Sequence, residues 1–486
     1  MKARLLLLTV LAFVTALLLA FSFNNTTKLS SGQLIKTSLK KNIVRCGPDW
    51  EALKDYLEEA DIPPMPGSGN YKWKISTKND SAQFYFNQGI NMYYSFHIIE
   101  SMASFKKAAK FDPDCAMIHW AQALAYGPNI NDLGYVASPD ALKALGDAIN
   151  KSSNGSAIEK GLIDAMSVRY TADSADVNRA KLNAVYTAKM KKLHDQFPSD
   201  PDVQALYADA MMLEHPWDLW SIDGTPKPWT PEIRSVLEKL LTIAPDHPGA
   251  NHYYIHVMEP SPFFAKALPS ADRLGKLTPG LAHTVHMPSH IYLRTGNYNK
   301  GVSVNEDALN SYQQYSGLYA PVAGNDFLYV IHNVHMQANN AMMAGNNAMA
   351  IKAAEKTAKS IPADYLDMPA PLGSYLQYIH STPVLTNVRF GNWQALQNMT
   401  KPADKHVFSN VMYHFGHGMA LIANLRYSDA KRELAQLRVV MKDSSLAIPF
   451  TPFSPALDGA RVAENILLGS IALKEMKYEE AIAAFQ

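Results

Sequence analysis

Three times along this chain, acidic residues and proline end one helical segment and open the next: FDPDCAMIHWAQAL (111–124), FPSDPDVQALYADAMM (197–212) and APDHPGANHYYIHVME (244–259). In each, an aromatic residue follows the proline by six or seven positions, at Trp120, Tyr207 or Tyr254. Proline suits the first turn of a helix, where its missing N–H would have no partner in any case. From about residue 82 onward Ala, Leu, Met and Tyr return at three- and four-residue spacing, and alternating β-branched runs are scarce. That period predicts helices. The punctuation predicts that they come as stacked hairpins.

A second recurring piece places a small turn and an aromatic or similar residue before an Ala-rich helix, in GNYNKGVSVNEDAL from Gly296, RYSDAKRELAQL from Arg426 and KYEEAIAAFQ from Lys477. With SMASFKKAAKFDP (101–113), these segments resemble the tetratricopeptide repeat, a helix pair of about 34 residues. The resemblance implies an all-α fold: a tetratricopeptide-repeat-like α-solenoid of antiparallel helix pairs over residues 46–486, on the order of a dozen pairs with several degenerate. HPWDLWSIDGTPKPWTPEI (215–233) interrupts the pattern, and its Pro, Gly and Trp content predicts an ordered, non-helical insertion. The sequence stops at Gln486 inside a repeat-like unit, which predicts a missing cap beyond it.

The first residues differ in kind. Lys2 and Arg4 precede an apolar run from Leu5 to Phe23, so residues 1–23 read as a signal peptide or an uncleaved N-terminal anchor, since about 20 such residues span a bilayer. Ala20 and Ser22 permit cleavage before Phe23. In both cases the body is translocated, which predicts a periplasmic, envelope-anchored or secreted protein. Residues 24–45, rich in Ser, Thr, Asn and Lys, predict a flexible linker. Cys46 and Cys115 fit either one disulfide in an exported protein or two separate buried thiols, and no CxxC is present to hold a metal. A net charge of +1 with 18% charged residues offers no footing for nucleic acid. Membrane contact rests on the N-terminal segment alone.

The chemistry concentrates between His247 and His335, a His-rich segment carrying eight of the chain's 16 histidines. Imidazole is the commonest metal-binding side chain, and a buried one must be hydrogen-bonded or ligated. His252 and His256 stand four apart and Glu259 three further on, so all three share one helix face just before Pro260 and Pro262 end that helix. Tyr253 occupies the place of the general-base Glu in HExxH, which removes the zincin reading. In HTVHMPSHI, Pro288 in a first helical turn leaves His283 and His286 in the preceding loop and His290 early in the helix. His332 and His335 form an i, i+3 pair on a third helix. These positions predict one transition-metal centre in the concave face, held by a subset of His252, His256, Glu259, His286, His290, His332 and His335. Such donors suit Zn, Cu, Fe or Mn. The competing account is a polar network of His, Tyr and Asn that stiffens the solenoid. Among the rest, His97 with Glu100 extends the site or forms an internal hydrogen bond, Trp217, Asp218 and Trp220 pack the insertion against the repeats or wall a ligand, Asn129 and Asn131 cap or turn the chain or line a pocket, and His414 with His417 belong to the core. No nucleophile elbow, phosphate loop, dinucleotide fingerprint or EF-hand loop occurs.

The blocks FNQGINMYYSFHIIESMASFKKAAKFDPDCAMIHWAQALAYGPNIN, LYADAMMLEHPWDLW, PDHPGANHYYIHVMEPS, HTVHMPSHIYLRTGNY and IHNVHMQ, in this order, look like a family of large bacterial exported tetratricopeptide-repeat proteins whose stretches read HPGAxHYYIHxxE, HxVHMPSHI and HNxHF. The resemblance runs from about residue 82 to beyond 337. It implies functional roles for His97, Glu100, His252, His256, Glu259, His286, His290, His332 and His335, although FHIIES departs from the family's Asn-His-x-Glu-Ala around His97. It implies no particular substrate. Two readings of function follow: an exported solenoid whose metal activates water or dioxygen or serves binding, with Glu259 a ligand or a base, and a non-catalytic scaffold for a peptide or protein in the concave groove.

Overall fold

A computed structural model describes residues 48–59, 61–132, 135–172, 176–322, 327–450 and 454–486. The signal or anchor, the linker and Cys46 lie outside these residues, and Cys115 is buried. Among the described residues the chain is all-α, with one isolated bridge between Trp220 and Pro226 and no strand. No described helix is long and apolar enough to cross a membrane.

The punctuation of the sequence is cap chemistry. Asp200 precedes Pro201 and accepts a hydrogen bond from the Val203 N–H, starting the Pro201–Glu214 helix. His247 precedes Pro248 and accepts from the Ala250 N–H through Nδ1, starting Pro248–Met258. Ser156 and Glu159 form a reciprocal capping box for Ala157–Met166. Each satisfies donors that a helix end leaves open, a contribution of about 1 kcal/mol apiece.

Successive helices then pack as hairpins: Asp80–Tyr94 on Ile98–Phe111, Arg179–Gln196 on Pro201–Glu214, Tyr298–Leu318 on Phe327–Met343, Val407–Ala423 on Tyr427–Val440, and Ala456–Lys474 on Tyr478–Phe485. This is the tetratricopeptide-repeat-like solenoid the repeats predict. One continuous apolar core runs from Leu53 to Val322, and a second forms between Phe408 and Ile471. Residues 215–229 are irregular, and helix resumes at Thr230, so the last residues of the anticipated insertion belong to Thr230–Ile243. The Trp220 indole N–H donates to the Val257 carbonyl at 2.7 Å, tying the insertion to Pro248–Met258.

The early chain folds back onto the His-rich segment. The Gly280 N–H donates to the Gly67 carbonyl at 2.9 Å and the Tyr315 hydroxyl to the Pro66 carbonyl at 3.0 Å. Asp80–Tyr94 also touches Pro248–Met258. A Cβ on Gly280 would stand 2.4 Å from the Pro66 carbonyl oxygen, and Gly67, at φ +72°, has the Gly280 nitrogen 2.7 Å from its own Cβ position. Backbone cannot yield as a side chain does. Gly280→Ala is therefore expected to lose about 1–3 kcal/mol in urea unfolding. Gly146→Ala, mid-helix with nothing within 4 Å, should be neutral or stabilising by up to about 1 kcal/mol. Equal effects of the two would refute this closure.

Candidate metal centre

Three helical segments carry the histidines. Every residue of Pro248–Met258 is buried, so its i, i+4 pair His252 and His256 faces protein, not water. Opposite lie Ala282–His286 and Pro288–Arg294. Met287 between them keeps helical angles, φ −50° and ψ −37°; the break arises because Pro288 has no N–H to continue the ladder. His283 and His286 thus sit in a short helix instead of the anticipated loop, and His283, His286 and His290 fall on one stripe at i, i+3 and i+7. Phe327–Met343 brings His332 to the far end of that stripe.

The rings collect into two triads, not one centre. In each, one nitrogen per ring lies within 4.8 Å of the others: His252, His256 and His283 form the first, His286, His290 and His332 the second. The His252 and His283 Nε2 atoms are 3.1 Å apart, those of His286 and His290 2.9 Å, and those of His290 and His332 3.2 Å. The triads adjoin, with the His283 and His286 ring centroids separated by 6.3 Å.

In four of the six rings the other nitrogen is committed outward. His252 Nδ1 lies 2.6 Å from the Tyr94 carbonyl oxygen, His256 Nδ1 3.0 Å from Glu259 Oε1, His290 Nδ1 2.7 Å from Glu259 Oε2 and His286 Nδ1 2.5 Å from Asn305 Oδ1. The Asn305 amide nitrogen donates to the Gly301 carbonyl, which fixes the oxygen toward His286. All four partners are acceptors, so from this network we assign a proton to Nδ1 in each of these four rings. Burial, with the neighbouring His256, pushes His252 well below the usual imidazole range. Burial and the surrounding imidazoles do the same to His283 and His286, and bring His332 down to about 3. These rings are neutral at ordinary pH. Glu259, its side chain 13% exposed, is held ionised by His290 and His256 although burial opposes it.

Glu259 is consequently no ligand in this geometry. One oxygen orients a ring of the first triad and the other a ring of the second, the outer-sphere carboxylate role that fixes tautomer and raises ligand basicity. His335 is not brought to either triad; its ring lies edge-on to Tyr378 at 5.6 Å. His283, which the ligand set drawn from the sequence omitted, completes the first triad, and its i−3 spacing from His286 was the available signal. His97 bonds Glu100 through Nδ1 at 2.9 Å, and its Nε2 lies 3.4 Å from the His283 N–H. It supports the backbone under His283. Asn131 donates weakly, at 3.4 Å, to the Tyr329 hydroxyl, and Tyr329 stands edge-on to His283. His414 and His417 share Glu433, at 2.6 and 3.0 Å, away from both triads.

Aromatic rings close the first triad. Phe96 lies 4.5 Å from His252, 5.8 Å from His256 and 5.5 Å from His283, and Trp217 meets His256 edge-on at 5.3 Å, all between ring centroids. Both residues hold left-handed backbone, φ 57° and 61°. Non-glycine residues adopt it at a cost of about 1–2 kcal/mol each, and such strain collects at functional sites.

No protein-family model and no curated protein matches the chain. Similar solved structures include the human IFIT1 dimer with PPP-AAAA, 15% identical over 89% of this chain and 98% of that one with a TM-score of 0.33. Yeast Tom70 is 11% identical over 92% and 99%, TM-score 0.27, and the P58(IPK) TPR domain 12% identical over 83% and 99%, TM-score 0.20. Likeness at this level speaks to neither site nor partner.

Proposed function

We propose that this is an exported metalloprotein of the helical-repeat class, in which two imidazole triads joined through Glu259 hold two transition-metal ions. One observation carries the reading. The His286 and His290 Nε2 atoms, each on a ring whose Nδ1 faces an acceptor, approach to 2.9 Å in a partly buried site. Two nitrogens at that distance share a cation, either a proton in an N–H···N bond or a metal ion that both rings bind. Three nitrogens bound 2.0–2.1 Å from one ion at tetrahedral angles stand roughly 3.3 Å apart, close to the His252–His283, His286–His290 and His290–His332 separations of 3.1, 2.9 and 3.2 Å. The His256 Nε2, buried with no hydrogen-bond partner, completes the donors of the first.

Tag-free protein reconstituted in turn with Zn, Cu, Fe and Mn is expected to retain two ions per chain of at least one of these metals by elemental analysis, one for each triad. His252→Ala should remove the first ion alone and His332→Ala the second alone. Retention of none of the four metals would sink the proposal. Export rests on Lys2, Arg4 and the apolar run to Phe23, and appearance of the full chain in the cytoplasmic fraction would remove it. The scaffold reading keeps one specific feature in its favour: a cavity of about 340 Å³ walled by Tyr375, Tyr378, Phe408 and Phe450, of a shape and polarity that suits an apolar peptide side chain.

A further inference from the structure

We infer that the paired triads form a coupled dicopper centre that takes up dioxygen between its two ions; this rests on the metal-binding reading above.

The donor set comes first. All six candidate donors are imidazoles, and Glu259, the carboxylate that meets these rings among the described residues, has both oxygens turned to Nδ1 atoms. No protein anion is therefore available to bridge or neutralise two ions. A buried pair of divalent, redox-inactive ions would carry a net charge of four against one carboxylate, and desolvated charge of that size is strongly unfavourable. Three-coordinate Cu(I) is different. It is monovalent and content with few nitrogen ligands.

Charge conservation then selects the ligand. When dioxygen enters, each Cu(I) gives up one electron, the O–O bond order falls from two to one, and a peroxide dianion bridges two Cu(II) ions. No proton enters and none leaves. The total charge of the buried site is the same before and after, so uptake does not require the interior to solvate any new charge, and the reverse step returns dioxygen and two Cu(I). Two ions are needed because dioxygen must accept two electrons to reach a stable bridging anion and each copper supplies one. The adjacency of the triads, through His283 and His286, meets that need.

The enclosure fixes the size of what can arrive. His252 and His286 are fully buried and His256 is 2% exposed, while His290 and His332 of the second triad are partly exposed. Phe96, Trp217 and Tyr329 cover the first triad. The two cavities of about 420 Å³, one lined by Lys431, Arg438 and Glu475 and the other by Tyr71, Asn91 and Asp246, include none of the six rings. Around the first triad such walls admit a small apolar diatomic and exclude a peptide or a sugar.

The full chain should be loaded with Cu(I) under argon, assayed for copper, and then exposed to measured dioxygen. The expected result is two copper ions per chain, uptake of one dioxygen per pair, and an oxidised state silent in electron paramagnetic resonance, because the two unpaired spins cancel through the bridge. Evacuation should restore the dioxygen. His286→Ala, which spares the first triad, should keep one copper, lose the stoichiometric uptake and show an ordinary Cu(II) signal once oxidised. Two retained coppers that ignore dioxygen, or that oxidise to two independent Cu(II) signals, would overturn the dicopper inference and leave the metal-binding reading intact. Retention of zinc, iron or manganese but not copper would do the same. Failure to hold any metal would overturn both.

Discussion

Under the two-ion proposal, Glu259→Gln is expected to cost the protein one of the two metal ions while leaving the other. The carboxylate accepts from His256 Nδ1 on Oε1 and from His290 Nδ1 on Oε2. A glutamine in the same place offers one oxygen and one NH2. The oxygen still accepts from one ring. The NH2 confronts the N–H of the other, which relieves the clash by moving its proton to Nε2, the atom that should bind metal. One triad thus loses a donor. Loss of such an outer partner typically weakens metal affinity 10- to 100-fold, and here the tautomer change puts the effect at the upper end of about that range. Competition titration with a chelator should resolve two equal tight sites in the parent and one tight, one weak in the variant. The isosteric side chain keeps the packing, so the comparison does not depend on loss of fold. Two sites weakened equally, or neither, would show that the carboxylate does not link the triads as described.

How much of this was legible beforehand follows from what each signal depends on. The helix-pair architecture rests on local spacing and on caps such as Asp200 and His247, and local information suffices for both. The pairing of His252 with His256 was equally local. Whether Glu259 points inward or outward was not, because it is set by His290, a residue on another helix. The sequence spacing also suggested one centre, while the fold separates the rings into two by running His283, His286 and His290 along a single stripe past a helix only three turns long. His283 and His286, both expected in a loop before Pro288, lie on a helix that Met287 continues, and that places His283 on the same stripe. His335 was chosen because i, i+3 histidines share a face in general, yet here only His332 reaches the triad and His335 turns to Tyr378. Tertiary closure, such as the fold-back of Pro66 and Gly67 onto Gly280 and Tyr315, has no local signature beyond the glycines themselves.

His335 makes the largest separable contribution to acid sensitivity. Burial alone pushes its imidazole down to about 4 from the usual 6.5. The sign follows from proton binding: between those values the unfolded chain holds a proton on this ring and the folded chain does not. Stability is therefore fully present above about pH 6.5 and is lost as pH falls, at about 1.4 kcal/mol per unit, until the loss reaches about 3 kcal/mol near pH 4. His335→Leu cannot take up that proton. Urea unfolding of metal-free protein across pH 7.5 to 4, followed by circular dichroism, should show a pH dependence shallower by about 3 kcal/mol in the variant. Because slopes are compared, any change in stability at neutral pH drops out. Parallel curves would mean that His335 is solvated in the folded protein. The triad imidazoles act in the same direction, since His252, His283 and His286 lie well below their usual range and His332 at about 3. They differ from His335 in one respect that the same experiment reads: a bound ion competes with the proton for their lone pairs. Added metal should therefore move the acid transition of both proteins to lower pH while leaving the difference due to His335 unchanged.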